Sequence, residues 1–132
     1  MTQVFAEGDA VGVTPIHIIG DADIAELKPG VLVTVTGVSK GKGFQGVVKR
    51  HGFHGGPQTH GQKNRLRAPG SIGNTTPQRV LPGRKMAGHM GVDTITIQNL
   101  KVVEVNAEKR IIFIRGAIPG NTSGKIRVRL AK

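Results

Sequence analysis

The sequence predicts an all-β fold, a small antiparallel barrel interrupted by a long glycine-rich basic extension loop. Three features indicate it: short apolar runs with period two, very few helix-forming segments, and a central stretch rich in Gly and Pro. A barrel is favoured because closure removes exposed strand edges. We expect a single domain over residues 1–132, with the barrel from about 1–36 and 92–132 and the extension from about 37–91.

The N-terminal part predicts a hairpin, a brief helix and a strand. Gln3–Phe5 and Val11–Ile19 flank a turn at Glu7-Gly8-Asp9, and Pro15 places the second strand at an edge or a bulge. Asp23–Glu26 has the spacing of a capping box, and Pro29 limits any helix there to one or two turns. Val31–Thr36 is rich in β-branched residues and predicts a strand.

The C-terminal part predicts four more strands, separated by turns. A four-residue hairpin loop is expected at Asn106–Lys109, between two apolar runs. In the last strand the charged residues alternate with Ile, Val and Leu, which predicts one solvated face and one buried face. The four expected strands are Thr94–Ile97, Leu100–Val105, Ile111–Arg115 and Lys125–Leu130.

Composition excludes several classes of protein. The chain has 132 residues and no Cys, which rules out disulfide scaffolds, Cys-liganded zinc and thiol nucleophiles. Its longest purely apolar runs have four residues, whereas a membrane span needs about 20. The first residues lack a basic region followed by an apolar one, so no secretory signal is expected. We therefore expect a cytoplasmic protein without a membrane partner.

The positive charge is concentrated in one segment. The net charge is +11, yet residues 27–92 contain no Asp or Glu, and the rest of the chain carries equal numbers of acids and bases. A single-sign stretch repels itself, and a polyanion stabilises it by supplying counter-charge and releasing its own counterions. An inert basic loop kept for solubility is the simpler alternative, but it would not need every acid excluded. The segment therefore predicts a nucleic-acid interface.

Two other sites are suggested by residue letters but lack their structural context. Gly41–Gly46 matches G-x-G-x-x-G, but the glycines that follow forbid the long helix of a dinucleotide fold, and the kinase motifs H-R-D and D-F-G are absent. Close backbone approach to phosphates is the better interpretation. His51, His54 and His60 suggest a metal, but no acid or Cys accompanies them. We expect no metal and no cofactor.

The sequence predicts neither catalysis nor stacking-based readout of single strands. No Ser in the chain has an acid–base partner with motif spacing, and no carboxylate lies in the basic segment, so we expect no enzyme, no catalytic residues and no small-molecule substrate. Only Phe44 and Phe53 provide aromatic rings of the Phe, Tyr or Trp type there. Phosphate and sugar contacts should dominate, which suits folded RNA better than sequence-specific DNA reading.

Several long motifs then resemble one family. The segments Val35–Arg50, His51–Phe53, Thr59–Gly61, Pro69–Gly73 and Gly83–Gly91 occur in the order found in the bacterial form of universal large-subunit ribosomal protein three. The resemblance also covers Met1–Phe5 and Gly116–Gly120. The chain resembles a shortened version, because after Ile19 it passes almost directly to Glu26–Gly30, where the family carries a long middle region.

The resemblance implies a translation-protein-like barrel and a ribosome-bound role. It implies binding to large-subunit (23S-type) rRNA, contact with neighbouring ribosomal proteins, an extension that reaches toward the peptidyl transferase centre, and a role in subunit assembly. The alternative is an engineered or ancestor-like minimal barrel that binds RNA only non-specifically.

The hypothesis assigns RNA contacts to three kinds of residue. Basic side chains would neutralise phosphates, glycines would let the backbone approach RNA, and polar side chains would contact sugar or base. The basic residues are Lys40, Lys42, Lys49, Arg50, Lys63, Arg65, Arg67, Arg79, Arg84 and Lys85. The glycines are Gly41, Gly43, Gly70 and Gly73, and the polar residues are His51, His54, His60, Gln62 and Asn64.

Overall fold

Eight strands and one short helix make up the secondary structure of residues 1–6, 8–19 and 27–131, which the computed structural model describes. The all-β class is confirmed. The expected capping box at Asp23–Glu26 lies outside the described residues. The elements are β1 (Thr2–Ala6), β2 (Asp9–His17), β3 (Leu32–Val38), β4 (Phe44–Gln45), α1 (Val47–His51), β5 (Gly88–His89), β6 (Thr94–Asn106), β7 (Ile111–Arg115) and β8 (Ile126–Leu130).

The chain folds as two compact units. The first, here called unit 1, comprises Met1–Lys40 and Asp93–Lys132. The second, unit 2, comprises Gly41–Val92 and holds β4, α1 and β5. The longest helix in the described residues is the single turn of α1, and none there has the length and apolarity to traverse a lipid bilayer.

Unit 1 is one six-stranded antiparallel sheet in the order β1-β2-β7-β6-β3-β8. The predicted hairpin is confirmed, with Thr2 opposite Val13. The pairing with β1 ends there, so Pro15 pairs only with Phe113 of β7, an edge position that needs no N–H on the other side. No ladder between β1 and β8 occurs in the described residues, so the sheet is not closed into the expected barrel. Both edge strands are short, and β8 carries exposed arginines, which protects open edges without closure.

β6 is one bent strand where the sequence predicts two. Its first half pairs with β3 and its second half with β7. Gln98 and Asn99 both lie opposite the single residue Thr34, which makes a β-bulge, and Asn99 has φ 59° there. Asn tolerates this left-handed conformation better than most residues. A second register shift lies between Val102 and Glu104, so the strand bends without ending.

The hairpin loop between β6 and β7 is Ala107–Arg110, one residue later than predicted. The side-chain oxygen of Asn106 accepts a hydrogen bond from the Lys109 N–H at 3.0 Å. The Arg110 N–H donates to the Ala107 carbonyl at 3.2 Å, and the φ of Arg110 is 52°. The tight turn therefore needs a left-handed residue just before β7 begins.

The core of unit 1 is aliphatic. It draws on β2, β3, β6 and β7 and contains Ile16, Val33, Val35, Val102, Ile112 and Ile114. In β8, Ile126 and Val128 pack against this cluster while Arg127 and Arg129 stay exposed, which follows the alternation predicted for the last strand, but Leu130, predicted on the buried face, is 41% exposed. Because its apolar side chains come from β2, β3 and the β6–β7 hairpin, which lie far apart in sequence, the sheet is held by long-range contacts.

The two ends of unit 1 that lead into unit 2 are held together. The Ser39 N–H donates to the Asp93 carbonyl oxygen at 2.9 Å, and the Asp93 N–H donates to Ser39 Oγ at 3.2 Å. Gly37 is buried one residue before β3 ends, where a Cβ would lie 2.9 Å from the Pro119 carbonyl oxygen. The residues that precede and follow the basic segment are therefore hydrogen-bonded to each other within unit 1.

Candidate nucleic-acid interface

A small ladder joins the first and last residues of unit 2. Phe44 lies opposite His89, and Gln45 lies opposite Gly88. The Lys42 N–H donates to the Met90 carbonyl at 2.9 Å, and the Met90 N–H donates to the Gly43 carbonyl at 3.0 Å. The sequence predicts an extension loop without strands here. The two-residue ladder could not be predicted, because it pairs residues that lie far apart in the chain.

The helix α1 places three basic residues at its C-terminal end. It begins after Gly46, with no side-chain cap, and ends at His51, before Gly52, whose φ of 73° is left-handed. Lys49, Arg50 and His51 lie in its last turn, where positive charge complements the helix dipole. At five residues, α1 is too short for the dinucleotide fold that the glycine motif suggests by letter.

Two of the predicted RNA-contacting residues bind the chain itself. Arg50 Nη1 donates to the Met86 carbonyl oxygen at 2.8 Å, and His51 Nε2 donates to the same oxygen at 3.0 Å. Since a carbonyl only accepts, the Nε2 atom of His51 carries the proton in this contact. The guanidinium of Arg50 has five N–H donors, so it can hold Met86 and still face a phosphate.

Gln62 is a third predicted RNA-contacting residue, and it also binds the chain itself. In the amide orientation that satisfies both donors, its side-chain oxygen accepts from the Arg65 N–H at 2.9 Å and the Leu66 N–H at 3.2 Å. The Leu66 carbonyl in turn accepts from the Gly56 N–H at 2.9 Å. A Cβ at Gly55 would lie 2.0 Å from that carbonyl oxygen, so only glycine permits this approach. The sequence signal for this fold-back is the Gly55-Gly56 pair.

The segment 69–87 is exposed along its whole length. The Ser71 hydroxyl donates to the Gly73 carbonyl at 2.8 Å, and the Arg84 guanidinium donates through Nη2 to the Ser71 carbonyl. Gly70 has φ 78°, which disfavours any other residue. Val80 and Leu81 are exposed too, so this segment presents backbone and basic side chains rather than a core.

Most predicted interface residues lie on the surface, and all but Lys40 belong to unit 2. Arg50, His51 and Gln62 are partly buried. The exposed members are Lys40, Gly41, Lys42, Gly43, Lys49, His54, His60, Lys63, Asn64, Arg65, Arg67, Gly70, Gly73, Arg79, Arg84 and Lys85. Exposed charged groups that keep their water are available to an incoming polyanion, although Arg84 also donates to the Ser71 carbonyl oxygen.

The electrostatics of unit 2 have one sign. It contains no Asp or Glu, and its Lys and Arg residues number nine: Lys42, Lys49, Arg50, Lys63, Arg65, Arg67, Arg79, Arg84 and Lys85. None of these can form a salt bridge inside the unit, because it offers no carboxylate side chain. Their summed field attracts anions and raises the rate at which a polyanion arrives.

The described residues contain no group of three or more His, Cys, Asp or Glu side chains placed to hold a metal ion. His51 instead faces the Met86 carbonyl, and its ring centroid lies 6.0 Å from that of Phe53. His54 and His60 are exposed.

Comparison with known proteins assigns the family. Residues 11–111 match the sequence model of ribosomal protein L3, which covers more than half of the chain. The chain belongs to the ribosomal protein L3 family. That family is a structural component of the ribosome and not an enzyme family.

Three relatives in this family are named large ribosomal subunit protein uL3. The protein of Herpetosiphon aurantiacus is 51% identical over 119 residues, covering 87% of this chain and 55% of the relative. That of Thioalkalivibrio sulfidiphilus is 56% identical over 111 residues, covering 80% and 52%. That of Dehalococcoides mccartyi is 44% identical over 128 residues, covering 96% and 62%. The chain thus spans about half the length of the curated relatives it matches, which agrees with a shortened family member.

Proposed function

We propose that the chain is a structural constituent of the large ribosomal subunit that binds large-subunit rRNA through unit 2. Its relatives are named as proteins of that subunit, and the chain shares 44–56% of residues with them over the matched regions. In this role it works in the cytoplasm as part of the ribosome, beside neighbouring ribosomal proteins, and it catalyses no reaction.

The observation that carries the proposal is the exposed, acid-free surface of unit 2. Nine Lys and Arg residues occur within Gly41–Val92 without a carboxylate among them. Binding of a polyanion to such a surface is favourable, because the condensed counterions of the nucleic acid are released. The left-handed glycines Gly43 and Gly70 carry no side chain to cover the backbone beside them, which suits recognition of RNA by shape.

The finer parts of the proposal concern where unit 2 lies in the ribosome. We take the exposed segment 69–87 as the part of the extension that reaches toward the peptidyl transferase centre, and we take rRNA binding as its contribution to subunit assembly. The family resemblance supports both. Unit 1 has an aliphatic core and a net charge of +2, whereas unit 2 has a net charge of +9, and this division is compatible with a folded anchor and an RNA-penetrating arm.

A second function remains open because the chain spans about half the length of its relatives. A shortened family member could keep its charge and lose the contacts that select one RNA. It would then be a minimal β-protein that binds polyanions non-specifically, at affinities that depend on salt and hardly on sequence.

Recovery of RNA from a bacterial lysate separates the two functions. The full chain is immobilised and incubated at about 150 mM salt, where screening is physiological, and the bound RNA is sequenced. Enrichment of one compact region of large-subunit rRNA supports the ribosomal function. Equal recovery of tRNA, small-subunit rRNA and large-subunit rRNA supports the non-specific function and rules out the ribosomal one.

A further inference from the structure

An open groove of about 670 Å³ lies along residues 52–71 of unit 2. Its volume is within the range of roughly 300–1,000 Å³ typical of sites that hold small ligands or ligand fragments. The residues that matter for its chemistry are Phe53, His54, Gly55, Gly56, Gln62 and Arg65. Arg65 and Gly70, which the rRNA-binding proposal uses, also line this groove, but that proposal assigns no ligand to it.

The wall of the groove is held by the fold-back of the chain at Gly55 and Gly56. The Gly56 N–H donates to the Leu66 carbonyl at 2.9 Å, and a Cβ at Gly56 would lie 2.9 Å from the Arg65 carbonyl oxygen. The Gln62 amide oxygen holds the Arg65 and Leu66 N–H groups from the other side. Arg65 therefore projects from a turn whose backbone is fixed before any ligand arrives, which lowers the entropic cost of binding.

The groove combines an aromatic ring with positive charge and has no acid. Phe53 is partly buried, whereas His54 and Arg65 are exposed at the same groove. An aromatic ring takes a planar group against its face, and a guanidinium binds a phosphate through two parallel N–H donors. Within an RNA, the unit that carries both a planar group and a phosphate is the nucleotide.

We propose that this groove receives one unpaired nucleotide of an RNA, with the base against Phe53 and the phosphate beside Arg65. The proposal rests on RNA binding by unit 2. It adds that unit 2 reads an unstacked base in addition to phosphates. A base paired within a duplex cannot enter, because its faces are covered by its neighbours.

Unit 2 offers matched controls for both groups. Phe44 is the other Phe of the unit, is 76% exposed on β4 and does not line the groove. Arg79 is an exposed arginine of the same unit that does not line the groove either. Phe53→Leu and Phe44→Leu each remove one ring, and Arg65→Gln and Arg79→Gln each remove one charge.

The test measures equilibrium binding of the full chain to an oligouridylate single strand and to a double-stranded RNA of equal length. Phe53→Leu should weaken binding to the single strand by about tenfold, a typical value for loss of one aromatic–base stack, and leave the salt slope unchanged. Phe44→Leu should change that affinity by less than about twofold, since no base rests on it. Neither change should affect binding to the duplex.

Ultraviolet cross-linking of the unaltered chain to the oligouridylate provides a readout that does not require a variant to fold. Peptide mapping should place the cross-linked uridine on Phe53 or His54. Equal effects of the two Phe substitutions, or cross-links that avoid residues 52–71, would overturn the groove proposal while leaving rRNA binding intact. Failure of the chain to select large-subunit rRNA from a lysate would instead refute the ribosomal function, and the oligouridylate results would still decide the groove.

Discussion

A methyl group placed on Gly88 would lie 2.7 Å from Arg50 Nη1, the nitrogen that donates to the Met86 carbonyl oxygen. The guanidinium thus fills the space above the glycine and bonds to a residue 36 positions along the chain. Gly88 pairs with Gln45 in the small ladder of unit 2. The hydrogen bond from Arg50 to Met86 therefore links α1 to the residues just before β5.

Gly88→Ala should displace the guanidinium of Arg50 and break its bond to Met86. We expect a loss of roughly 1 kcal/mol in the stability of unit 2, the usual net value of one hydrogen bond. Amide exchange of residues 41–92 measures it. Arg50→Ala provides the control: once the guanidinium is gone, adding Gly88→Ala should cost little more, and additive losses in the double variant would contradict the contact.

Gly37→Ala should destabilise unit 1. Its Cβ would lie 2.9 Å from the Pro119 carbonyl oxygen and 3.1 Å from Ile126 Cγ2, and backbone cannot move away as a side-chain end can. We expect a cost of about 1–3 kcal/mol, as for other overpacked positions. Gly12→Ala is the matched strand control, because its Cβ would meet only Met1 Cε at 3.5 Å. Urea unfolding of both variants measures the difference, and equal midpoints would refute the clash.

Val92→Gly should raise stability. Val92 is 61% exposed and has φ 60°, which is costly for a β-branched residue and free for glycine. Relief of this strain should add about 1 kcal/mol, less the entropy that glycine contributes to the unfolded chain. Val38→Gly is the control, since Val38 is an exposed β3 residue without a left-handed φ, and there glycine should lower the melting temperature. A fall in melting temperature for both variants would contradict the strain.

Much of unit 1 follows from its sequence pattern. The hairpin at Gly8, the strand at Val33–Thr36 and the alternation at Ile126–Arg129 are local signals, because turn chemistry and period-two burial are written in neighbouring residues. The continuity of β6 through Asn99 could not be predicted. A polar pair inside an apolar run indicates a break, and only the pairing partner Thr34 turns it into a bulge.

The candidate interface was predicted by its charge but not by its internal contacts. An acid-free run is visible in sequence, so the exposed lysines and arginines of unit 2 could be named. The hydrogen bonds that His51 and Gln62 make to the backbone could not be predicted, because the Met86 carbonyl and the N–H groups of Arg65 and Leu66 carry no sequence signal. Backbone partners depend on how the chain folds back on itself.

Two matched Arg-x-Arg pairs allow the assignment of RNA binding to unit 2 to be tested. Arg65 and Arg67 lie exposed in unit 2, and Arg127 and Arg129 lie exposed on β8 of unit 1. Replacing the first pair with Gln should flatten the plot of log affinity against log salt by about 1.5, since each phosphate contact contributes roughly 0.7–0.9.

The same replacement in β8 removes an equal formal charge and should change the slope less. Filter binding to large-subunit rRNA over a range of salt concentrations gives both slopes. Equal slopes for the two variants would mean that net charge alone drives binding, and the assignment to unit 2 would then be wrong.

The hydrogen bonds between Ser39 and Asp93 close a long loop, so folding of unit 1 must bring the two ends of the basic segment together. The pair Val38–Thr94 in the β3–β6 ladder encloses all of residues 39–93, a long loop whose closure delays the first productive contact between those strands. The ladder at Phe44 and His89 brings the ends of that loop closer from the inside. If the ladder at Phe44 and His89 forms first, only residues 39–43 and 90–93 separate it from the Val38–Thr94 pair, so β3 and β6 meet after closing a much shorter loop. The folding speed of the six-stranded sheet is then governed by the basic segment between its strands, and an RNA that orders this segment would act as a template for the sheet.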